Sequence, residues 1–301
     1  SMIKVAWAPI YHHPLPDNHR FPMSKYSLLP QQLLYEGTLS EENFFAPSLA
    51  TEAQILRTHC PLYFQSLLDG SIDGKAQRKI GFPWSEQLIE RERTIGQGTI
   101  NNALFAIEYG CSLNIAGGTH HAFYDRGEGF CMLNDIMLAA HYALDHCGIS
   151  RILVVDLDVH QGNGTAAMAT DEDRIFTFSM HGDKNYPYHK ETSDLDLPLP
   201  DYIEDKTYLS LLNETLDELF EKVKPEMVFF QSGVDVLESD KLGRMGLSLN
   251  GCKERDIAVI SRCYRQSIPL IINMGGGYSP EIKTIIEAHA NTFRMCKHYY
   301  Q

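Results

Sequence analysis

No apolar run in this 301-residue chain approaches the roughly 20 residues that a membrane-spanning helix needs. The opening residues lack a basic stretch leading into an apolar core, so no secretory leader is expected. The seven cysteines are scattered, odd in number and never spaced Cys-x-x-Cys. That argues against a disulfide framework or a thiolate zinc site and suits a reducing, cytoplasmic compartment. Basic residues are the scarcer charge: 26 Lys and Arg stand against 39 Asp and Glu, a net −13. Such acidity disfavours non-specific nucleic-acid binding and is compatible with a cationic substrate, although simple solubility accounts for it equally well. Internal repeats and low-complexity segments are also missing. What is there is ordinary globular composition, 44% hydrophobic and 22% charged. The length suits one large α/β domain or two small ones. With Ser1 set aside as a leftover of expression, residues 2–301 read as a single domain.

The chain is organised around Arg151 to Thr165. Ile152, Leu153, Val154 and Val155 form an unbroken apolar run, the pattern of a strand buried on both faces of a parallel sheet. Asp156, Asp158 and His160 follow at every second position, which on a strand would point them to one face. The carboxyl end of such a strand is where open α/β sheets bind ligands. Gly162 and Gly164 then turn the chain. Burying two carboxylates and an imidazole costs several kcal/mol unless something compensates. A divalent ion is the simplest compensation, with zinc the common choice for imidazole plus carboxylates.

In chain order, Ile3 to Trp7 reads as a strand. Pro9 to Pro30 reads as a long loop leading into a helix at Gln31 to Tyr35, with Pro9 to Met23 expected at the mouth of the site. His12, His13 and His19 lie in it and read as surface or structural histidines. Short helices are expected over Thr51 to Leu68, broken at Pro61. Gly96, Gln97, Gly98 and Thr99 hold half of a phosphate-binding fingerprint, but no strand precedes them and the last glycine is missing, so no nucleotide site is expected. A helix from Thr99 to Tyr109 follows, then a strand from Leu113 to Ala116 that delivers His120 and His121. Asn134 and Asp135 open a helix that ends at Gly148. Arg174 to Met180 reads as a strand and Gly182 to Asp201 as a loop. An amphipathic helix spans Lys206 to Val223. A buried strand from Met227 to Gln231 ends in Ser232, Gly233, Val234 and Asp235. A helix over Asn250 to Gln266, a strand over Ile268 to Met274 and a helix over Glu281 to Phe293 complete the chain. Gly275, Gly276, Gly277 and Tyr278 follow the last strand. Strands alternating with helices predict a three-layer α/β/α domain with a mainly parallel sheet.

If the strands that carry these groups are neighbours, four chemistries meet at one rim. Two carboxylates and a histidine make three protein ligands with an open position, the catalytic form of a zinc site. Bound metal would acidify water and polarise a carbonyl. The paired histidines would serve as base and acid, and the tyrosine would donate to a developing oxyanion. The chemistry favoured is metal-assisted hydrolysis of an amide or ester.

The motifs resemble those of the zinc-dependent histone deacetylase family, in the arginase–deacetylase fold. They run in that family's order from about Pro14 to the last helix: Gly-Gly-Thr-His120-His121-Ala, Gly129-Phe130-Cys131, Asp156-x-Asp158-x-His160-x-Gly-Asn163-Gly, Gln231-x-Gly-Val-Asp235 and Gly-Gly276-Gly-Tyr278. The segments Gly98-Thr99-Ile100 and Leu237 to Gly243 look most like the class IV branch and its bacterial relatives. The resemblance implies zinc on Asp158, His160 and Asp235, with iron or cobalt as substitutes. It makes His121 the general base, and the acid toward the leaving amine. His120, paired with Asp156, becomes its electrostatic partner, and Tyr278 polarises the acyl carbonyl. Gly129, Phe130 and Gly276 would line the substrate channel. A structural potassium ion is implied on Asp156 and Ser179 with the backbone of Asp158, His160 and Met180. Asn163 stands where some branches carry an aspartate beside the second histidine; a neutral partner should leave His121 with a lower pKa.

The implied activity is removal of acetyl or longer acyl groups from lysine in proteins or peptides. Three rivals are weighed against it. A small-molecule amidohydrolase of the same fold, such as one acting on acetylpolyamines, fits the same residues. A binuclear manganese ureohydrolase would need bridging carboxylates that the chain does not supply. A non-catalytic acyl-lysine binder would not need every catalytic position filled.

Overall fold

The computed structural model describes residues 2–301. Eight strands build one sheet: β1 (Lys4–Ala6), β2 (Phe44–Phe45), β3 (Cys111–Asn114), β4 (Ile152–Asp156), β5 (Ile175–Gly182), β6 (Leu195–Leu199), β7 (Met227–Gln231) and β8 (Leu270–Asn273). Their order is β2-β1-β3-β8-β7-β4-β5-β6 and every pairing is parallel. Every residue of β3, β4, β7 and β8 is buried, as strands covered on both faces must be.

Among the described residues there are ten α-helices, the longest of which cover the sheet. Helices α8 (Asp205–Val223), α9 (Leu249–Gln266), α10 (Ile282–Tyr300) and α1 (Lys25–Tyr35) pack in series on one side. The long α5 (Glu86–Tyr109) and α6 (Asp135–His146) pack together on the other, joined by the short helices α2 (Glu52–Leu56), α3 (Pro61–Asp69) and α7 (Asn163–Met168). The short α4 (Gly74–Ile80) precedes α5. The three-layer architecture expected from the alternation is the one found.

The departures have local causes. Helix α1 begins at Lys25 rather than Gln31, with Pro30 inside it. Pro30 cannot donate to the carbonyl four residues back, and that carbonyl, of Tyr26, instead accepts from the Trp7 indole N–H at 2.7 Å. Helix α5 begins at Glu86, capped by the Ser85 hydroxyl accepting from Leu88 N–H, and Gly96 and Gly98 lie within it rather than at its boundary. A Cβ at Gly98 would sit 2.7 Å from the Tyr11 hydroxyl and 3.1 Å from Ala6, so this glycine lets α5 approach the sheet. Pro61 starts α3, its missing N–H costing nothing at the first helical position. The loop expected over Gly182 to Asp201 contains β6, whose Pro198 is tolerated because β6 is an edge strand. Strand β4 ends at Asp156, so Asp158 and His160 lie beyond it and strand alternation is not what aligns them.

Candidate active site

The four loops that carry the predicted chemistry follow β3, β8, β7 and β4, which are consecutive in the sheet. Past β4, backbone-to-carboxylate bonds do the aligning. Asp156 accepts from Asp158 N–H at 3.2 Å and Asp158 from His160 N–H at 3.0 Å. Asp235, after β7, accepts from Val159 N–H at 2.9 Å. Gly276 N–H, after β8, donates to Asp158 Oδ2 at 2.8 Å.

Asp158, His160 and Asp235 are all buried, and each offers a ligand atom within 4.8 Å of the others. His160 Nδ1 stands 3.1 Å from Asp158 Oδ1 and 3.2 Å from Asp235 Oδ2. Ligands bound tetrahedrally at about 2.0–2.2 Å sit roughly 3.3 Å apart, so this spacing fits a small divalent ion. The electrostatics fit as well. Asp235 Oδ2 is buried and accepts no hydrogen bond, its approach to His160 being out of line. Burial, then the charge of Asp158, push the Asp235 carboxyl up to about 7. Burial disfavours charge on His160, but the close carboxylates of Asp158 and Asp235 outweigh that and raise it to about 10. The triad is therefore short of positive charge, which a metal cation would supply.

The histidine pair follows β3, its rings 4.2 Å apart. The loop is fixed from below by Asp135, which accepts from Gly118 N–H at 3.0 Å and Thr119 N–H at 2.9 Å. Gln231 adds a bond to Gly118 O at 2.8 Å. His120 Nδ1 meets Asp156 Oδ2 at 2.6 Å. Burial opposes charge there, but Asp156 and Asp158 outweigh it and raise the His120 pKa. His121 Nδ1 meets Asn163 Oδ1 at 2.7 Å. Burial first, then the neighbouring His120 and His160, hold His121 well below the ordinary imidazole value. Asn163 directs its amide nitrogen to Glu128 at 2.8 Å and also accepts from Gly164 N–H at 2.9 Å. Its oxygen must then face His121, which donates from Nδ1 and leaves Nε2 with a free lone pair.

Tyr278 is buried, and Asp240 accepts its backbone N–H at 2.7 Å. Phe130, at φ 67°, packs with Phe21 and Phe82 at 5.0 and 5.1 Å and faces Tyr278 at 6.2 Å, forming an aromatic wall. Gly129 lies against His121: a Cβ there would stand 2.8 Å from its Cδ2. Asp156 and Ser179, the expected potassium ligands, are partners in register on β4 and β5, and Met180 is buried next in line. As expected, the loop from Pro9 to Met23 reaches the site, through Phe21. His19 is structural, bridging Gly81 O at 2.8 Å.

Sequence reasoning missed Phe21, Phe82, Glu128, Tyr186 and Asp240. Tyr186 stands edge-on to His121 with centroids 5.1 Å apart, and its hydroxyl donates to Glu128 at 2.7 Å. The glycine-flanked Glu128 was the only available signal among these five, a carboxylate in a loop already marked for chemistry.

Fold and site together define a parallel three-layer α/β protein whose sheet rim carries a buried triad able to hold a metal ion and a histidine pair. A model of the histone deacetylase domain matches residues 19–293, and the chain belongs to the histone deacetylase family, one of hydrolases that are generally metal-dependent. Histone deacetylase 2 of Arabidopsis thaliana is 30% identical over 285 residues, 89% of this chain and 72% of that protein. An uncharacterised protein of Picosynechococcus is 41% identical over 296 residues, covering 98% of this chain and 99% of its own. A crystal structure of an HDAC homologue from Aquifex aeolicus superposes with a TM-score of 0.83 at 24% identity, covering 99% of this chain and 84% of that one.

Proposed function

We propose that the protein is a zinc-dependent hydrolase that removes acyl groups from the side-chain amine of lysine in proteins or peptides. The observation that supports this most is the buried Asp158–His160–Asp235 triad, with its unpartnered Asp235 oxygen, two of whose members, Asp158 and His160, line one pocket with His121 and Tyr278. Zinc held by those three side chains supplies Lewis-acid polarisation of an acyl carbonyl and lowers the pKa of water. Asp156 and Ser179 are the side chains that would hold potassium beneath it.

The residues divide the remaining work. His121, neutral with Nε2 free, takes the proton from the attacking water. The water oxygen bonds to the acyl carbon, and the Tyr278 hydroxyl donates a hydrogen bond to the carbonyl oxygen as charge gathers on it. His121 then gives its proton to the lysine nitrogen as the C–N bond breaks, leaving a free amine and a carboxylic acid. His120 keeps a raised pKa on Asp156 and supplies positive charge without moving its proton. Two adjacent imidazoles with pKa values pushed in opposite directions are what a divided acid–base role requires. Phe130 with Gly129 and Gly276 shapes the channel for the lysine stem.

The test is hydrolysis of lysine peptides bearing acetyl, butyryl, octanoyl and myristoyl groups, with an acetylpolyamine beside them. Turnover should vanish on chelation and return with zinc, and Tyr278→Phe should lower kcat about 10²- to 10³-fold. Turnover of the polyamine alone would move the assignment to a small-molecule amidohydrolase. No turnover by zinc-loaded protein would overturn the hydrolase reading.

A further inference from the structure

The mouth of the site opens into a groove of about 910 Å³ shared by His121, Phe130, His160 and Tyr278 with an outer ring of charged and tyrosine side chains. Five cations line it: Arg20, Lys79, Lys184, Lys241 and Arg244. Arg244 is already paired with Asp201 at 2.6 Å. The other four are exposed, and none has an ion-pair partner among the described residues. The groove contains two acids, and one of them, Asp240, is buried and accepts from the N–H groups of Leu242, Gly243 and Tyr278. Four unpaired cations therefore face one exposed carboxylate, Glu238, on a chain whose net charge is −13. Tyr188 and Tyr202, 87% and 69% exposed, add hydroxyl donors to the same groove.

The local field at the entrance is thus opposite in sign to that of the whole molecule, and the cationic substrate compatible with bulk charge would meet repulsion there. A cleft lined by one sign of charge raises the local concentration of the opposite sign. We propose that this groove binds the peptide flanking the acyl-lysine and selects acidic sequence, with Asp or Glu side chains seated against Arg20, Lys79, Lys184 and Lys241. The inference rests on the deacylase reading. It also separates this protein's substrate from the strongly basic tails that the family name would suggest.

The experiment uses three peptides with one acyl-lysine and Glu/Asp, Ser/Ala or Lys/Arg flanks, and an acyl-lysine amide with no flanks. kcat/KM is measured on zinc-loaded protein at low and high salt, with Kd of the labelled peptides in parallel. Exposed pairs contribute about 0.2–1 kcal/mol each, so a few of them predict about a ten-fold preference for acidic over basic flanks, shrinking as salt screens it. The double change Lys184→Glu, Lys241→Glu should abolish or invert the preference while turnover of the unflanked amide stays unchanged. Equal or reversed wild-type preference overturns the inference. A preference untouched by the double change overturns its placement in this groove. Tighter binding of ADP than of the acidic peptide would assign the groove to phosphate ligands instead. Failure to hydrolyse any substrate, the unflanked amide included, counts against the deacylase reading alone, and the Kd ratios then decide the charge preference.

Discussion

Glu128 offers a sharp test of the base role proposed for His121. Its carboxylate accepts from Asn163 Nδ2 at 2.8 Å and from the Tyr186 hydroxyl at 2.7 Å, while Arg126 stands 3.7 Å from its other oxygen. Asn163 in turn accepts from His121 at 2.7 Å. This chain places a negative charge roughly 7 Å from an imidazole that becomes positive in the transition state. At an effective dielectric of about 20, that is worth roughly 2.4 kcal/mol, and the arginine cancels about half of it. The remaining ~1.2 kcal/mol corresponds to about ten-fold in rate. Glu128→Gln removes the charge but keeps an acceptor for Asn163; Glu128→Ala removes both. Both changes should lower kcat about ten-fold with little change in KM, and Ala should fall further if orienting the amide matters separately. Losing the negative charge lowers the pKa of His121, so the acidic limb of the kcat profile should move to lower pH. The assay is a pH–rate profile on whichever acyl-lysine peptide is turned over, with zinc content checked in each variant. Full activity and an unmoved acidic limb in both variants would refute the reasoning.

Other consequences follow from the packing. A Cβ at Gly276 would collide with Asp235 Oδ2 and stand 3.0 Å from the Tyr278 ring, so Gly276→Ala should lower zinc stoichiometry, read by metal analysis; wild-type metal content would count against the triad. Trp7→Phe leaves the Tyr26 carbonyl without its donor and should destabilise the fold by about 1–3 kcal/mol in urea unfolding. His59 and His141 are pushed down to about 4 from 6.5, both by burial and His141 also by the Arg57 charge. The unfolded chain therefore binds more protons between those values: stability is whole above pH 6.5, falls as pH drops toward 4, and loses about 2 kcal/mol per histidine by pH 5. His141→Gln should flatten that slope, and an unchanged slope would remove this histidine from the account.

How much of this was legible in the chain depended on range. The buried strands were, because Ile152 to Val155 and Met227 to Phe230 are apolar runs that only a sheet covered on both faces can use. The clustering of Asp158, His160 and Asp235 was, because buried acids at strand ends demand compensation. What is written in tertiary contacts was hidden. Pro30 looked like a barrier to α1 because the donor that rescues the Tyr26 carbonyl, Trp7, lies just past β1. Gly96 and Gly98 looked like a boundary because the close approaches they permit are to distant elements, Leu138 of α6 for Gly96 and Ala6 of β1 and Asn114 of β3 for Gly98. Asp158 and His160 were aligned by a strand argument that does not hold past Asp156; backbone bonds to the preceding carboxylates do that work. The aromatic wall draws Phe21, Phe82 and Phe130 from three separate loops, and no local pattern joins them.

The sheet order explains why so short a set of motifs suffices. Strands β3, β8, β7 and β4 are neighbours in the sheet in an order that is not that of the sequence, and parallel pairing sends all four carboxyl ends to one edge. Each loop supplies what the others lack. The one after β3 brings the histidines, and the one after β4 brings two triad residues with the partners Asp156 and Asn163. Those after β7 and β8 bring Asp235 and Tyr278. The loops are then tied crosswise: Gly276 N–H to Asp158 at 2.8 Å, Val159 N–H to Asp235 at 2.9 Å, and Gln231 to Gly118 at 2.8 Å. The charges follow the same division. His120 sits on a carboxylate and keeps its proton; His121 sits on an amide and stays free to take one. Exchanging those two partners would put the stable positive charge on the other ring, so under the proposed division of roles the identities of Asp156 and Asn163 should matter as much as the histidines they hold.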